Sequence, residues 1–183
     1  MEEKRLAIVV MGVAGCGKTS VATALASQIG GYLIEGDAFH PPANVAKMQA
    51  GIPLDDTDRA GWLDRLADEL HRAYITHCRT VMTCSALKYR YRQRLREAVP
   101  ALGFVFLDLP IDVAAQRVAQ RSSHFMPASL VASQFAALES PTGEPLTLTV
   151  DAMLPLFDIT RVAATWCETL DGESAVTDKK RAE

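Results

Sequence analysis

The sequence predicts an α/β fold of three layers, a five-stranded parallel sheet with helices on both faces. Three observations predict it. Short apolar runs rich in β-branched residues alternate along the chain with stretches of helical periodicity. The first run, residues 6–11, is apolar throughout, the habit of a parallel strand covered on both faces. It leads directly into Gly12-Val13-Ala14-Gly15-Cys16-Gly17-Lys18-Thr19, which fits G-x-x-x-x-G-K-[ST] completely. Strands alternating with helices imply βαβ units, whose right-handed crossovers put helices on both sides of the sheet.

The elements follow in order. After the glycine loop, Val21, Ala22, Leu25 and Ile29 recur at helical spacing, and Gly30-Gly31 stops that helix. Residues 32–35 form a second strand. Residues 38–57 are irregular, broken by Pro41, Pro42, Gly51 and Pro53, with one short helix near 44–49. From Asp58, the positions Trp62, Leu63, Leu66, Leu70, Ala73 and Tyr74 trace a long amphipathic helix. Residues 80–84 are a third strand, 86–98 a helix, 104–109 a fourth strand, 112–121 and 128–138 two helices, and 146–150 a fifth strand. Ile159, Val162, Ala163, Trp166 and Leu170 mark the last helix, and residues 171–183 are expected to be a frayed polar tail. No repeat, low-complexity tract or linker divides the chain. The expected organisation is one domain over 1–170, with an acceptor region at about 37–75 and a lid at about 117–138.

Composition narrows the function. With 19 basic and 22 acidic residues the net charge is −3, a poor match to non-specific nucleic-acid binding. No apolar run approaches the ~20 residues that cross a bilayer, so no membrane partner is expected. Cys16, Cys78, Cys84 and Cys167 form no C-x-x-C pair and no zinc spacing, which suits free thiols in a reducing compartment. Residues 6–11 are too short for a signal-peptide core and no small-residue cleavage site follows, so a cytoplasmic location is expected.

The loop carries the first chemistry. Its glycines let backbone N–H groups turn inward as an anion nest, and the next helix points its positive end at the same place. ATP is the expected ligand: Gly12 to Thr19 and Ser20 surround the phosphates, Lys18 reaches the β- and γ-phosphates, and the Thr19 hydroxyl ligates Mg²⁺. A thiol near a helix N-terminus can ionise easily, but Cys16 reads better as a small side chain tolerated in a tight loop. The chain has no N-K-x-D stretch for reading guanine and no L-S-G-G-Q-like transporter signature. A small-molecule phosphotransferase fits best.

Such an enzyme needs an acceptor site, a group for the acceptor proton, and cations for developing charge. Asp37 follows the second strand's carboxyl end, where ligands gather in open α/β sheets, and can orient or deprotonate a hydroxyl. His40 either hydrogen-bonds the acceptor or holds the loop; Asp37 and His40 alone are a poor metal site. After the third strand comes the densest basic stretch, Lys88, Arg90, Arg92, Arg94 and Arg96. A helix starting at Ala86 would bury Leu87, Tyr91, Leu95 and Ala98, leaving Lys88 and Arg92 nearest the site, where a guanidinium fork suits a carboxylate. Arg117 and Arg121 share a helical face leading into the loop at His124, and are expected to close over the phosphates.

Several further blocks stand in order: Gly36-Asp-Ala-Phe-His-Pro41, Asn44-Val-Ala-Lys-Met48, Gly51-Ile-Pro-Leu54, Asp58-Arg59 with Trp62-Leu63, and Cys84-Ser-Ala-Leu-Lys88 with Tyr91-Arg92. His124-Phe-Met-Pro127, Ser133-Gln-Phe135 and Leu138-Glu139 complete them. With the glycine loop, these blocks resemble the gluconokinase family, small P-loop kinases related in architecture to adenylate and shikimate kinases. The resemblance implies Mg²⁺-dependent transfer of the ATP γ-phosphate to the 6-hydroxyl of D-gluconate, and a homodimer. It implies that Asp37, His40, Arg59, Lys88, Arg92 and His124 bind the acid, and that Lys18, Asp37, Arg117 and Arg121 serve the transfer. Departures are small: Ala14 and Cys16 stand where serine is usual, and Thr19 replaces a frequent serine. A kinase for another small acid, such as shikimate, and a nucleotide-dependent binding protein are the alternatives.

Overall fold

The structure, a computed structural model, describes residues 5–120, 127 and 129–179, with side chains through Leu170. Strand β1 (Leu6–Met11) is followed by α1 (Lys18–Ile29), β2 (Tyr32–Glu35), a 3₁₀ turn (Gly36–Phe39), α2 (Pro42–Gln49) and α3 (Asp56–Thr76). Then come β3 (Arg79–Thr83), α4 (Tyr89–Ala98), β4 (Gly103–Asp108), α5 (Ile111–Ala119), α6 (Leu130–Ala137), β5 (Thr147–Asp151) and α7 (Leu156–Lys179). The five strands are all parallel, in the order β2-β3-β1-β4-β5.

The unbroken apolar run of β1 has the cause the sequence suggested. Alternate side chains of a strand face opposite ways. Leu6, Ile8 and Val10 pack with Val21 and Leu25 of α1 and with Ile159 and Ala163 of α7. Ala7, Val9 and Met11 pack on the other face with Trp62, Leu66 and Leu70 of α3 and Tyr91 and Leu95 of α4. β1 pairs with β3 on one side and β4 on the other, with Val9 opposite Met82 and Phe104. All five strands therefore send their carboxyl ends to one edge, and the loops leaving that edge make the site.

Three expectations need correction. α4 starts at Tyr89, not Ala86. Residues 84–88 are a non-helical connection in which Ala86, fully buried, takes a left-handed φ of 45°. α3 starts two residues before Asp58, behind a capping box: Asp58 N–H donates to Asp55 Oδ1 (2.8 Å) and Asp55 N–H to Asp58 Oδ2 (3.0 Å). The backbone stays helical to Lys179 rather than fraying after Leu170. No proline interrupts 171–179, and each residue added to an existing helix gains a hydrogen bond without a new nucleation cost. Arg121 and His124 lie outside the described residues.

Candidate active site

The glycine loop links β1 to α1 as a tight turn. Gly17 is left-handed at φ 95° and forms the N-cap of α1. A Cβ on Gly12 would sit 2.9 Å from Leu107 O, so a side chain there would push the loop off β4. Val13 and Cys16 turn their side chains into the core, leaving only their backbone for a ligand. Burial pushes the Cys16 thiol up against the opposing pull of Lys18, so it is no low-pKa nucleophile. Lys18 Nζ donates to Gly12 O and Val13 O, both at 3.2 Å, which holds the ammonium against the loop's own backbone. Arg117 Nη1 donates to Gly15 O (3.4 Å) and Nη2 to Ala152 O (3.2 Å), tying α5 to the loop and to the end of β5. Ser20 lies exposed in the first turn of α1.

Beside the loop stands a carboxylate outside the residues the sequence motifs mark, Glu35. Thr19 Oγ1 donates to Glu35 Oε2 at 2.9 Å. Thr83 Oγ1 in turn hydrogen-bonds Glu35 Oε1 and accepts from Gly36 N–H (3.0 Å). Thr83 sits nearly unexposed at the end of β3, so its hydroxyl fixes both the Glu35 carboxylate and the start of the turn that carries Asp37. Only glycine fits at 36, because a Cβ there would meet Thr83 O at 2.0 Å. Glu35 was open to discovery in the sequence, since it ends a strand next to Asp37; Thr83 was not, since the link crosses from β3 to β2.

The Asp37 turn is held from α3. Trp62 Nε1–H donates to Gly36 O (2.9 Å), and the Trp62 ring stacks on His40 with centroids 4.1 Å apart. His40 Nε2 lies 3.8 Å from Asp37 Oδ1, and its Nδ1 is 3.5 Å from Asn44 Nδ2, which also donates to Asp58 O (2.8 Å). Burial lowers the His40 pKa to about 4; Asp37 opposes this and the Arg59 cation reinforces it. His40 is thus neutral at pH 7. Asp37 is left half-exposed at the carboxyl edge of the sheet. Arg59 Nε donates to Leu54 O (3.4 Å), and its guanidinium lies 6.0 Å from the Tyr91 ring centroid, between the Asp37 turn and α4.

Lys88, at the N-cap of α4, reaches Asp56 Oδ1 and Oδ2 at 2.9 and 3.1 Å. Arg90 and the Tyr91 hydroxyl meet the same carboxylate. Arg92 does not belong to this group. It is fully buried: its guanidinium donates to Ala86 O (2.8 Å), Leu87 O (3.1 Å) and Glu139 O (3.0 Å), and pairs with Glu144 at 2.5 Å. The expectation that Arg92 meets a ligand is therefore corrected. Arg92 stands three residues before Leu95 and so flanks the apolar stripe of α4; the Glu144 carboxylate and the carbonyls of Ala86, Leu87 and Glu139 cover that flank and make it interior rather than rim. Its work is to hold the strained Ala86 turn that presents Lys88.

The edge of the sheet thus brings together a glycine loop of the phosphate-binding pattern, a hydroxyl–carboxylate pair, an accessible carboxylate and two cations, Arg59 and Lys88. On this fold, that set defines a P-loop kinase. The family described as AAA domain matches residues 8–142. The gluconokinase of Gluconobacter oxydans is 51% identical over 134 residues, covering 73% of this chain and 75% of that protein. The thermoresistant gluconokinase of Escherichia coli is 40% identical over 149 residues, 81% of this chain and 85% of that one. The crystal structure of a gluconokinase from Sinorhizobium meliloti superposes with a TM-score of 0.85 at 44% identity, covering 95% of this chain and 99% of that chain. The chain belongs to the gluconokinase family.

Proposed function

We propose that the chain is an ATP-dependent gluconokinase, transferring the γ-phosphate of ATP to the 6-hydroxyl of D-gluconate to give 6-phospho-D-gluconate. The observation that carries this reading is the joint one. This chain is 51% and 40% identical to proteins named gluconokinase, and its own glycine loop, Asp37 turn and Lys88 follow the carboxyl ends of parallel strands in one sheet.

Inward backbone N–H groups of Gly15 and Gly17 and the N-terminus of α1 bind the phosphates, with Lys18 turning from its carbonyl partners to the transferred group. Asp37 orients the 6-hydroxyl and accepts its proton as the new P–O bond forms and the bond to the ADP oxygen breaks. Neutral His40 hydrogen-bonds the sugar acid, while Lys88 and Arg59 meet its carboxylate. Arg117, and Arg121 and His124 on sequence grounds alone, complete the phosphate and acid contacts from the segment 117–138. Arg92 takes no part in ligand contact.

Magnesium fits the residues present: the Thr19 hydroxyl and Glu35 carboxylate are hard oxygen donors side by side at the phosphate loop. When bound with ATP, the ion supplies charge neutralisation on the phosphates. No helix among the described residues is long and apolar enough to cross a membrane. We further place the protein in the cytoplasm as a homodimer without nucleic-acid partners, an assembly that light scattering checks directly. The activity is tested by a coupled ADP-release assay over gluconate, shikimate, glycerate and nucleoside monophosphates. Gluconate should dominate by about 100-fold or more, as expected when buried polar groups are matched to the right substrate. Equal or faster turnover of another acid would refute the acceptor assignment.

A further inference from the structure

We propose that Gln134 of α6 is a positioning residue for the nucleotide, acting through the backbone of Ala14, and that α6 ties the phosphate loop to the acceptor side. This rests on the reading of the loop as an ATP cradle. Ala14 N–H donates to Gln134 Oε1 at 2.7 Å, across 120 residues of sequence, and Gln134 is 6% exposed. A loop that binds anions through backbone N–H groups works only if those groups are already aimed, because ordering them at binding costs affinity.

Two helices do the aiming. On one flank, Gly15 lies so close to α5 that a Cβ would stand 3.0 Å from Ala114 O, and Arg117 holds its carbonyl. On the other, Gln134 takes the N–H of the preceding residue. The loop apex is thus gripped at consecutive residues from α5 and from α6.

α6 is itself fixed at both ends to the acceptor side. Leu130 packs with Met48 of α2 and with Leu54. Just past its other end, Glu139 N–H donates to Leu87 O (2.8 Å), and the Glu139 carboxylate accepts from Tyr89 N–H (2.6 Å), flanking Lys88 on both sides. Gln134 stands between these anchors, which fix the helix that holds its side chain against Ala14.

The test uses Q134M, which keeps side-chain length and removes the acceptor, and Q134E, which keeps an acceptor. Amide hydrogen exchange at Ala14 is read by NMR, and affinity for a magnesium-bound, non-hydrolysable ATP analogue by calorimetry. Ala14 should be protected in the natural protein and in Q134E, and should exchange about tenfold faster or more in Q134M. Q134M should also bind the analogue about fivefold or more weakly, while gluconate KM at saturating ATP stays within about twofold. A general loss of packing would move both ligands and the melting temperature together. Unprotected Ala14 in the natural protein overturns the proposal whether or not Q134M folds. Unchanged analogue affinity in Q134M overturns it alone, whereas natural protein that binds no nucleotide overturns the ATP reading along with it.

Discussion

Replacing Arg92 with methionine separates the two roles open to this residue. As a ligand contact, its loss would raise the gluconate KM and leave folding untouched. The structure makes the opposite demand. Arg92 is fully buried, with three backbone carbonyls and the Glu144 carboxylate around it. Burial alone would raise the Glu144 pKa, but hydrogen bonds from Arg92 and Arg96 outweigh it and hold the carboxyl below its usual range. R92M leaves Glu144 with Arg96 alone, at 2.9 Å, and strips the donor from Ala86 O and Glu139 O; Leu87 O keeps Glu139 N–H. Breaking a buried ion pair from one side costs about 3–5 kcal/mol, and the surviving Arg96 contact argues for the lower half of that range. For a chain of this size, roughly 3–4 kcal/mol lowers Tm by about 6–16 °C. R92K should lose nearly as much, since one ammonium cannot serve carbonyls and carboxylate at once. The assay is thermal unfolding by circular dichroism, with gluconate KM measured well below the transition. A Tm within about 2 °C of the natural protein, with a raised KM, would instead make Arg92 a ligand contact.

Lys18→Ala should cut kcat about 100-fold or more in the ADP-release assay, through lost stabilisation of charge on the transferred phosphoryl; near-normal turnover would remove Lys18 from the chemistry. Asp37→Asn should lower kcat while leaving the ATP-analogue Kd within about twofold, and an unchanged kcat would rule out its proton role. Glu35→Gln should raise the Mg²⁺ concentration needed for half-maximal rate; no change there would take Glu35 away from the metal. The depressed His40 pKa has a definite sign for stability. An ordinary histidine takes its proton near 6.5 and His40 only near about 4, so the stability this group contributes is complete above 6.5 and is lost as pH falls from 6.5 toward 4. Urea midpoints over that window should fall less steeply in His40→Gln than in the natural protein, and parallel curves would contradict the burial argument.

Local signals in the sequence were reliable where one segment sets its own structure. β2 spans the predicted residues because Gly30-Gly31 and Gly36 punctuate it, and the glycine loop lies between the strand and helix its chemistry requires. Apolar periodicity does not fix a helix start where capping decides it. The Asp55–Asp58 box is legible as two acids three apart before an apolar stripe, whereas the N-cap of α4, Lys88, makes no side-chain cap. Arg92 lies beside the apolar stripe of α4 wherever that helix starts, and apolar spacing alone does not tell a solvated flanking arginine from a buried one. Glu144, the partner that buries it, lies in a loop about fifty residues away with no pattern pointing to it. The same holds for Gln134 and Thr83: each is one polar residue in an ordinary helix or strand, and its task exists only once the sheet order brings distant segments together.

Phosphoryl transfer to one particular hydroxyl can be read straight from ³¹P NMR of the reaction mixture. With natural protein, MgATP and D-gluconate, one new phosphomonoester should form in step with ADP, its phosphorus coupled to the two protons on C6. ADP released with only inorganic phosphate, or an ester on another carbon, would contradict it.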